Sequence, residues 1–107
     1  MKDEYSIITT TYVDREAAKR LANRLIEKRL AACIQMLPIE SIYLWQQKIC
    51  DANEVLLIIK SKTELFEKIA TEIKESHTYE VPEILQVPIT GGLPEYLAWI
   101  DGYTSDK

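Results

Sequence analysis

The alternation of two residue patterns along the chain constrains its fold more than any other feature. Runs rich in β-branched and aromatic residues, which suit the pleated surface of a sheet, alternate with stretches whose apolar residues recur every three or four positions. The order is strand, helix, strand, strand, helix, strand, and a short helix follows at the end. This βαββαβ order predicts an α/β (α+β) fold of the split β-α-β type, in which two helices cover one face of an antiparallel sheet.

The first part of this pattern contains one strand and one helix. Residues 5–12 form the predicted strand, and Asp14 offers a side-chain oxygen that can cap the helix after it. This helix carries an apolar stripe that consists of Ala18, Leu21, Ala22, Leu25 and Ile26. The stripe predicts a helix that packs against the sheet.

The middle of the chain contains the next two strands and a ribbon between them. An apolar run begins at Leu30, and Pro38 ends or bends this strand because proline cannot donate to a strand ladder. Residues 41–45 are strand formers, and residues 51–53 are typical of a turn. Residues 54–60 then read as a strand that is apolar on both faces, which predicts a central position in the sheet.

A second helix, a final strand and a short helix complete the pattern. Ser61 and Glu64 have the spacing of a capping box, which marks the start of a helix. The buried stripe of this helix consists of Leu65, Phe66, Ile69 and Ile73. Four residues further on, the same face reaches His77. A proline within residues 84–89 favours an edge position or a bulge, and Pro94 suits the first turn of the C-terminal helix.

Composition and charge limit the classes of function. With 107 residues and 47% hydrophobic content, we expect residues 1–107 to form a single domain. The formal net charge of -4 repels a phosphate backbone, which argues against nucleic acid as a partner. The longest apolar runs have five residues, far below the ~20 needed to span a bilayer, and no secretory signal is visible. We therefore predict a cytoplasmic protein without a membrane span.

The two cysteines do not have the spacing of a disulfide framework or a zinc site. Cys33 and Cys50 lie 17 positions apart without a C-x-x-C motif, and a reducing compartment keeps such residues as thiols. His77 is the only histidine, so neither cysteine has a second ligand at the spacing of a structural zinc site. Cys50 lies near the predicted turn, where it is accessible to oxidation or adventitious metal.

The ribbon of residues 41–50 predicts association between copies of the chain. Ten extended residues cover ~33 Å, whereas a domain of this size has a radius of gyration of ~13 Å, so part of the ribbon must overhang. The overhang carries Tyr43, Leu44 and Trp45. Exposed apolar side chains and free sheet edges invite pairing with another copy.

Four segments, in order, resemble the CutA family of divalent-cation tolerance proteins, and the resemblance extends from the first strand to Gly102. The segments are Ala31-Ala32-Cys33, Ser41-Ile42-Tyr43-Leu44-Trp45, Glu54-Val55 leading to Lys60, and His77-Thr78-Tyr79-Glu80-Val81-Pro82-Glu83. The resemblance implies a ferredoxin-like fold, a homotrimer whose hairpins pair between subunits, and an architecture similar to the PII signalling proteins. It also implies binding of copper or another divalent cation and a role in the response to metal ions.

The resemblance points to His77 and Cys33 as candidate metal ligands, with Glu80 as a further donor brought near by folding. Thr78 stands where the family usually has proline. Thr10 and Ser76 stand where some metal-binding members have a cysteine and a second histidine. A structural alternative remains open for each of the two ligands. His77 can pack against the sheet and satisfy the last carbonyls of its helix, and Cys33 can act as a small buried hydrophobe.

A second candidate site is a cleft between subunits. Its predicted lining supplies acceptors, a cation and an aromatic wall, from Trp45, Lys60, Tyr79, Glu80 and Glu83. The alternative for these residues is a network that orders the trimer interface. The corresponding function is that of a PII-like signalling or scaffold trimer which binds a small ligand, although no glycine-rich phosphate loop is present.

The sequence does not predict an enzyme. It contains neither a Ser-His-Asp nor a Cys-His pattern that would indicate a reaction class. Paired carboxylates such as Glu80 and Glu83 act as acid and base only where their surroundings separate their pKa values. We therefore expect a binding function.

Overall fold

The computed structural model describes residues 3–105, and it contains one four-stranded sheet and three α-helices. The elements in chain order are β1 (Tyr5–Tyr12), α1 (Arg15–Glu27), β2 (Cys33–Trp45), β3 (Lys48–Lys62), α2 (Phe66–Ser76), β4 (Leu85–Pro88) and α3 (Pro94–Gly102). All neighbouring strands are antiparallel, and their order in the sheet is β2-β3-β1-β4. The predicted α+β fold is confirmed, because β3 lies between β1 and β2 as the split β-α-β arrangement requires.

Helix α1 begins and packs as its sequence predicts, with one exception. The Asp14 carboxylate accepts a hydrogen bond of 3.0 Å from the backbone N–H of Glu16 and so caps the helix. Leu21 and Leu25 are fully buried against the sheet. The prediction was wrong for Ile26, which is 41% exposed because it lies at the margin of the stripe.

The core lies between the sheet and the helices α1 and α2. It contains Ile8 of β1 and Leu57 and Ile59 of β3, which lie on the face that the helices cover. Ile69 and Ile73 of α2 are fully buried above them, as the helical spacing predicts. Only the central part of the sheet is therefore enclosed by apolar side chains.

The predicted capping box at the start of α2 is wrong. Ser61 is still part of β3, and its hydroxyl donates to the backbone carbonyl of Leu30 at 2.5 Å. A short 3-10 turn, Thr63–Leu65, separates the strand from α2 and takes up the residues that the pattern assigned to the first helical turn. Ser61 is fully buried, so its hydroxyl serves the packing of the strand and caps no helix.

Strands β2 and β3 form one long hairpin, which differs from the predicted ribbon in two ways. Strand β2 continues through Pro38, which is tolerated because β2 is an edge strand with a neighbour on one side only. The turn lies at Gln46 and Gln47, whose φ angles of 50° and 67° are left-handed, and residues 51–53 are part of β3. The overhang is confirmed, since β1 ends opposite Val55 and leaves residues 39–54 as a two-stranded ribbon.

The C-terminal helix α3 is tied to the sheet and to the end of α1. Pro94 occupies the first turn, as predicted, and Ile100 is buried. Arg29, with a left-handed φ of 61°, donates from Nη2 to the carbonyl of Gly102 at 3.0 Å. The Lys62 ammonium lies 3.4 Å from the Asp101 carboxylate. Across residues 3–105, no helix is both long and apolar enough to cross a membrane.

Candidate functional site

The residues of interest lie on the open face of the sheet, which is the face opposite α1 and α2. Alternate side chains of β3 point to it, and at the base of the sheet these are Glu54, Leu56, Ile58, Lys60 and Lys62, all half-buried. The segment 77–83 crosses this face beyond α2, and α3 covers it near Lys60. These two coverings divide the open face into separate groups of polar side chains.

His77 lies directly after α2 and closes the exposed edge of β1. Strand β4 pairs only with residues 6–9, so the carbonyl of Thr11 has no strand partner on that side. His77 Nε2 lies 2.5 Å from this carbonyl oxygen, and Nδ1 lies 3.0 Å from the backbone N–H of Tyr79. Because that N–H can only donate, Nδ1 accepts and Nε2 carries the proton. Both ring nitrogens of His77 are therefore engaged, and the carbonyl it satisfies belongs to β1 and not to its own helix.

Two tyrosine rings hold the imidazole of His77 in place. The ring centroid of Tyr12 lies 4.4 Å away and that of Tyr79 lies 4.7 Å away, both in tilted arrangements. The hydroxyl of Tyr12 is also hydrogen bonded to Ser76 Oγ at 2.9 Å. Burial raises the pKa of Tyr12, and this hydrogen bond opposes the rise. The imidazole is thus fixed by two hydrogen bonds and two ring contacts.

Tyr79 joins the segment 77–83 to the base of the ribbon. Its hydroxyl donates to Glu54 Oε2 at 2.8 Å, and the other oxygen of Glu54 accepts from Ser41 Oγ at 2.7 Å. Desolvation, together with the hydrogen bond to the negative Glu54, raises the pKa of Tyr79 to about 12. Glu83 accepts a hydrogen bond of 2.9 Å from the hydroxyl of Thr9 and fixes the far end of the segment.

Glu54 is the member of this network that sequence reasoning did not assign to a site. It was recognised only as part of a family segment, although a carboxylate at the start of an apolar strand is an available signal. Its partner Ser41 lies on the neighbouring strand β2. The link between these residues and Tyr79 depends on the path of the segment 77–83, which local sequence patterns do not encode.

Lys60 and Cys33 form a second group, near α3. They are directly opposite each other on β3 and β2, and both are half-buried. The Lys60 ammonium donates to the hydroxyl of Tyr96 at 3.4 Å and lies 5.5 Å from the centroid of the Tyr96 ring. Cys33 is a free thiol. Residue 33 points to the open face and is half-buried within one chain, so the metal ligand and the small buried hydrophobe both stay predictions for this cysteine.

The predicted metal ligands are not neighbours within one chain. Cys33 is opposite Lys60, whereas His77 contacts Thr11, whose partner on β3 is Leu56. Four strand residues separate these two levels, which corresponds to ~13 Å along β3. Among residues 3–105, no three side chains of histidine, cysteine, aspartate or glutamate form a group that could hold a metal ion. The donor set of a single chain therefore does not fit a closed metal site.

The remaining site residues lie further apart. Trp45 is 63% exposed at the tip of the hairpin, opposite Lys48, and twelve strand residues, ~40 Å, separate Lys48 from Lys60. Glu80 is exposed on the segment 77–83. Cys33 lies opposite Lys60, which is ~33 Å from Cys50 along β3, so the two thiols are too far apart for a disulfide within one chain. A pocket that contains both Trp45 and Lys60 requires more than one copy.

The sheet order, the two covering helices and the protruding hairpin define an α+β protein of the ferredoxin-like class. The sequence model of the family described as CutA1 divalent ion tolerance protein matches residues 6–103. The divalent-cation tolerance protein CutA of Archaeoglobus fulgidus is 42% identical over 97 residues, which cover 91% of this chain and 95% of that protein. The chain belongs to the CutA1 divalent ion tolerance family.

Two plant proteins extend this comparison. The chloroplastic protein CutA of Arabidopsis thaliana is 41% identical over 99 residues, which cover 92% of this chain but 54% of the length of that protein. The crystal structure of CutA1 from Oryza sativa has a TM-score of 0.93 at 38% identity and covers 98% of this chain and 97% of that one. A solved structure from Archaeoglobus fulgidus, described as periplasmic, has a TM-score of 0.90 at 41% identity, with 92% and 97% covered. The described fold is thus shared along almost the whole chain.

Proposed function

We propose that this chain forms a homotrimer that binds copper or another divalent cation and acts in divalent-cation tolerance. The observation that carries the proposal is membership of the CutA1 divalent ion tolerance family over residues 6–103. The role is one of binding, as a part of the response to metal ions. The assembly and the metal ligands are argued separately below, because each has its own experiment.

The ribbon of residues 39–54 supports assembly. None of its side chains is buried, and both of its faces carry large apolar side chains, with Ile42, Leu44 and Ile49 exposed by 72%, 69% and 82% on one face. Tyr43 and Trp45 lie on the other face. An isolated two-stranded hairpin is marginally stable in water, and a contiguous apolar surface of this kind marks an interface. The resemblance to the family implies pairing of hairpins in a trimer, and such pairing would cover these side chains.

The positions of the candidate metal ligands favour a metal site that is shared between copies. They favour only weak binding of a metal ion by a single chain. His77 has one lone pair, on Nδ1, and a metal ion bound there displaces the backbone N–H of Tyr79. Cys33 offers a half-buried thiol on the same open face, and Glu80 offers an exposed carboxylate. A trimer supplies three copies of each donor, so that ligands separated in one chain can converge across an interface.

Two measurements test the proposal on the reduced protein. Sedimentation equilibrium gives the oligomeric state, and a monomer at micromolar concentration contradicts the proposed assembly.

Calorimetric titration with copper and zinc gives the stoichiometry of metal binding. We expect saturable binding that weakens in Cys33→Ser and in His77→Gln, whose amide can still donate to the carbonyl of Thr11. Cys50→Ser, on the ribbon, is the matched control and retains binding. Absence of saturable binding by the trimer would refute the metal function.

A second candidate function is a trimer that binds a small ligand between subunits, as in the PII-like architecture. The distance of ~40 Å between the levels of Trp45 and Lys60 favours it, because the hairpin of one copy is long enough to bring Trp45 to another. Tyr79, Glu80 and Glu83 then contribute from the segment 77–83. A thermal-shift screen of nucleotides and metabolites, read together with Trp45 fluorescence, tests this function. No stabilising compound in the screen would count against it.

We further propose a cytoplasmic location. Cys33 and Cys50 are free thiols, which suits a reducing compartment. Fractionation of the source cells, followed by detection with an antibody, gives the location directly. Recovery with the organelle or periplasmic fraction would overturn the proposal.

A further inference from the structure

Two lysines of β3 on the open face differ in their partners. Lys62 is paired with the Asp101 carboxylate at 3.4 Å, and its side chain is 20% exposed. Lys60, two residues earlier on the same face, is half-buried, but no carboxylate of residues 3–105 forms an ion pair with it. A partly desolvated ammonium gains more from a counterion than a fully hydrated one. Lys60 is therefore a cation that forms no ion pair with a carboxylate within residues 3–105.

Tyr96 of α3 supplies a second donor beside Lys60. Its hydroxyl oxygen accepts from the Lys60 ammonium at 3.4 Å, which leaves the hydroxyl proton free to donate to another group. The ammonium lies 5.5 Å from the centroid of the same ring, and this cation–π contact keeps it close to α3. The two donors thus lie next to each other on two different elements.

The surroundings of Lys60 contain no competing acid from the sheet. Its direct neighbours are Ile7 on β1 and Cys33 on β2, and neither carries a carboxyl group. On the side of α3, Tyr96 continues into a row of rings, with centroids 5.5 Å apart for Tyr96 and Trp99. These rings lie at the surface, with Tyr96 39% and Trp99 40% exposed, so the Lys60 ammonium and the Tyr96 hydroxyl are accessible to a ligand from solvent.

We propose that Lys60 and Tyr96 bind a small oxyanion, either a carboxylate or a phosphate group. The ammonium donates to one oxygen of the anion and the Tyr96 hydroxyl donates to another. Both donors belong to one chain, so this anion site needs neither a metal ion at Cys33 nor a second copy. It shares Lys60 with the cleft of the second candidate function, which also needs Trp45 of another copy. It also differs from the Glu54 and Tyr79 network, whose carboxylate repels an anion.

Titration of the metal-free, ¹⁵N-labelled protein tests the site. Inorganic phosphate and acetate are added separately while chloride keeps the ionic strength constant, and the backbone amide shifts of Lys60 and Tyr96 are followed. We expect a saturable shift with at least one anion, which identifies the preferred group. In Lys60→Met the binding weakens by about tenfold or more, because a charge-assisted hydrogen bond is lost. Tyr96→Phe weakens it less, and Lys60→Arg retains it.

Lys62→Met is the matched control, since it removes the same charge from the same strand but takes it from an existing ion pair. This variant should bind the anion as the parent protein does. Shifts that rise without saturation with both anions, or that weaken equally in Lys60→Met and Lys62→Met, would show general ionic screening and overturn the proposal. Circular dichroism of each variant confirms that the sheet is intact before the titration.

Discussion

Strand β3 passes through two regions of opposite character. From Val55 to Ser61 every second side chain is buried under α1 and α2, and Leu57 and Ile59 are fully buried. From Lys48 to Glu54 no side chain is buried, although the strand pairing with β2 is continuous. Backbone pairing alone therefore does not enclose a strand. The base of the sheet is stabilised by its own helices, whereas no helix of the described residues covers the ribbon of residues 39–54.

Leu57→Ala tests the base of the sheet and has the largest expected effect. Leu57 is fully buried, so truncation should leave a cavity and lower the free energy of unfolding by about 2–5 kcal/mol. Urea unfolding at a fixed protein concentration measures the change. Val13→Ala, at a position that is 60% exposed, is the control and should alter this free energy by less than about 0.5 kcal/mol. Similar losses in both variants would mean that the base is not the cooperative core.

Ile49→Asp tests the ribbon and separates assembly from folding. Ile49 is 82% exposed in the chain, so the substitution should leave the helices and the base of the sheet unchanged. In an assembly it places a charge in an apolar interface and should weaken association by about a hundredfold, equivalent to ~3 kcal/mol. Sedimentation equilibrium measures this change. Val13→Asp is the matched control, and unaltered association of Ile49→Asp would exclude this face of the ribbon from the interface.

The same contrast explains which parts of the fold could be predicted from the sequence. The base of the sheet follows from local periodicity, because burial under helices requires apolar residues at fixed spacing. The hairpin turn was misplaced because Gln46 and Gln47 adopt left-handed angles without the asparagine or glycine that usually signals them. Pro38 was interpreted as a break because the edge position of β2 is a property of the whole sheet.

The candidate site was predictable in its residues but not in its connections. His77 and Tyr79 were identified from one short segment, and both belong to the network that closes the edge of β1. His77 bonds the carbonyl of Thr11, which lies 66 residues earlier, because β4 begins only at Leu85, opposite Thr9, and leaves Thr11 unpaired on that side. The contact between Tyr79 and Glu54 likewise depends on tertiary structure. Such long-range pairings are outside the reach of periodicity and spacing.

Thr10 and Thr104 test how the hydrogen bonding of a buried hydroxyl affects the stability of the fold. Thr10 is fully buried on the side of the helices, and its Oγ1 is the buried side-chain atom without a hydrogen-bond partner in the described part of the chain. Thr10→Val should therefore raise the free energy of unfolding by about 1 kcal/mol. Thr104→Val should lower it by a similar amount, because Thr104 Oγ1 donates to the carbonyl of Ile100 at 2.9 Å. Thermal unfolding of both variants should give shifts of opposite sign, and a destabilised Thr10→Val would show that the hydroxyl has a role in the core.

Tyr79→Phe tests the joint between the two regions and has the smallest expected effect. The hydrogen bond from Tyr79 to Glu54 connects the segment 77–83, which closes the base, to the first residues of the ribbon. Its loss should lower the free energy of unfolding at neutral pH by about 0.5–1 kcal/mol, since the site is partly exposed. Tyr12→Phe, which removes a hydroxyl bonded to Ser76, serves as the control on the side of the helices.

The pH dependence gives this last test a definite sign. Desolvation and the hydrogen bond to Glu54 raise the pKa of Tyr79 in the folded chain from 10.0 to about 12. A raised pKa means that the folded state holds this proton more tightly, so the contribution is fully present below pH ~10 and is lost as the pH rises towards about 12. The stability difference between the parent protein and Tyr79→Phe should therefore shrink over this interval. Absorbance at alkaline pH should show a late-titrating tyrosinate that the variant lacks, in addition to Tyr5 and Tyr12, whose pKa values are also raised. If the stability difference between the two proteins stays constant up to the raised pKa, the hydrogen bond from Tyr79 to Glu54 does not stabilise the folded chain. The ribbon is then not connected to the base of the sheet through this bond.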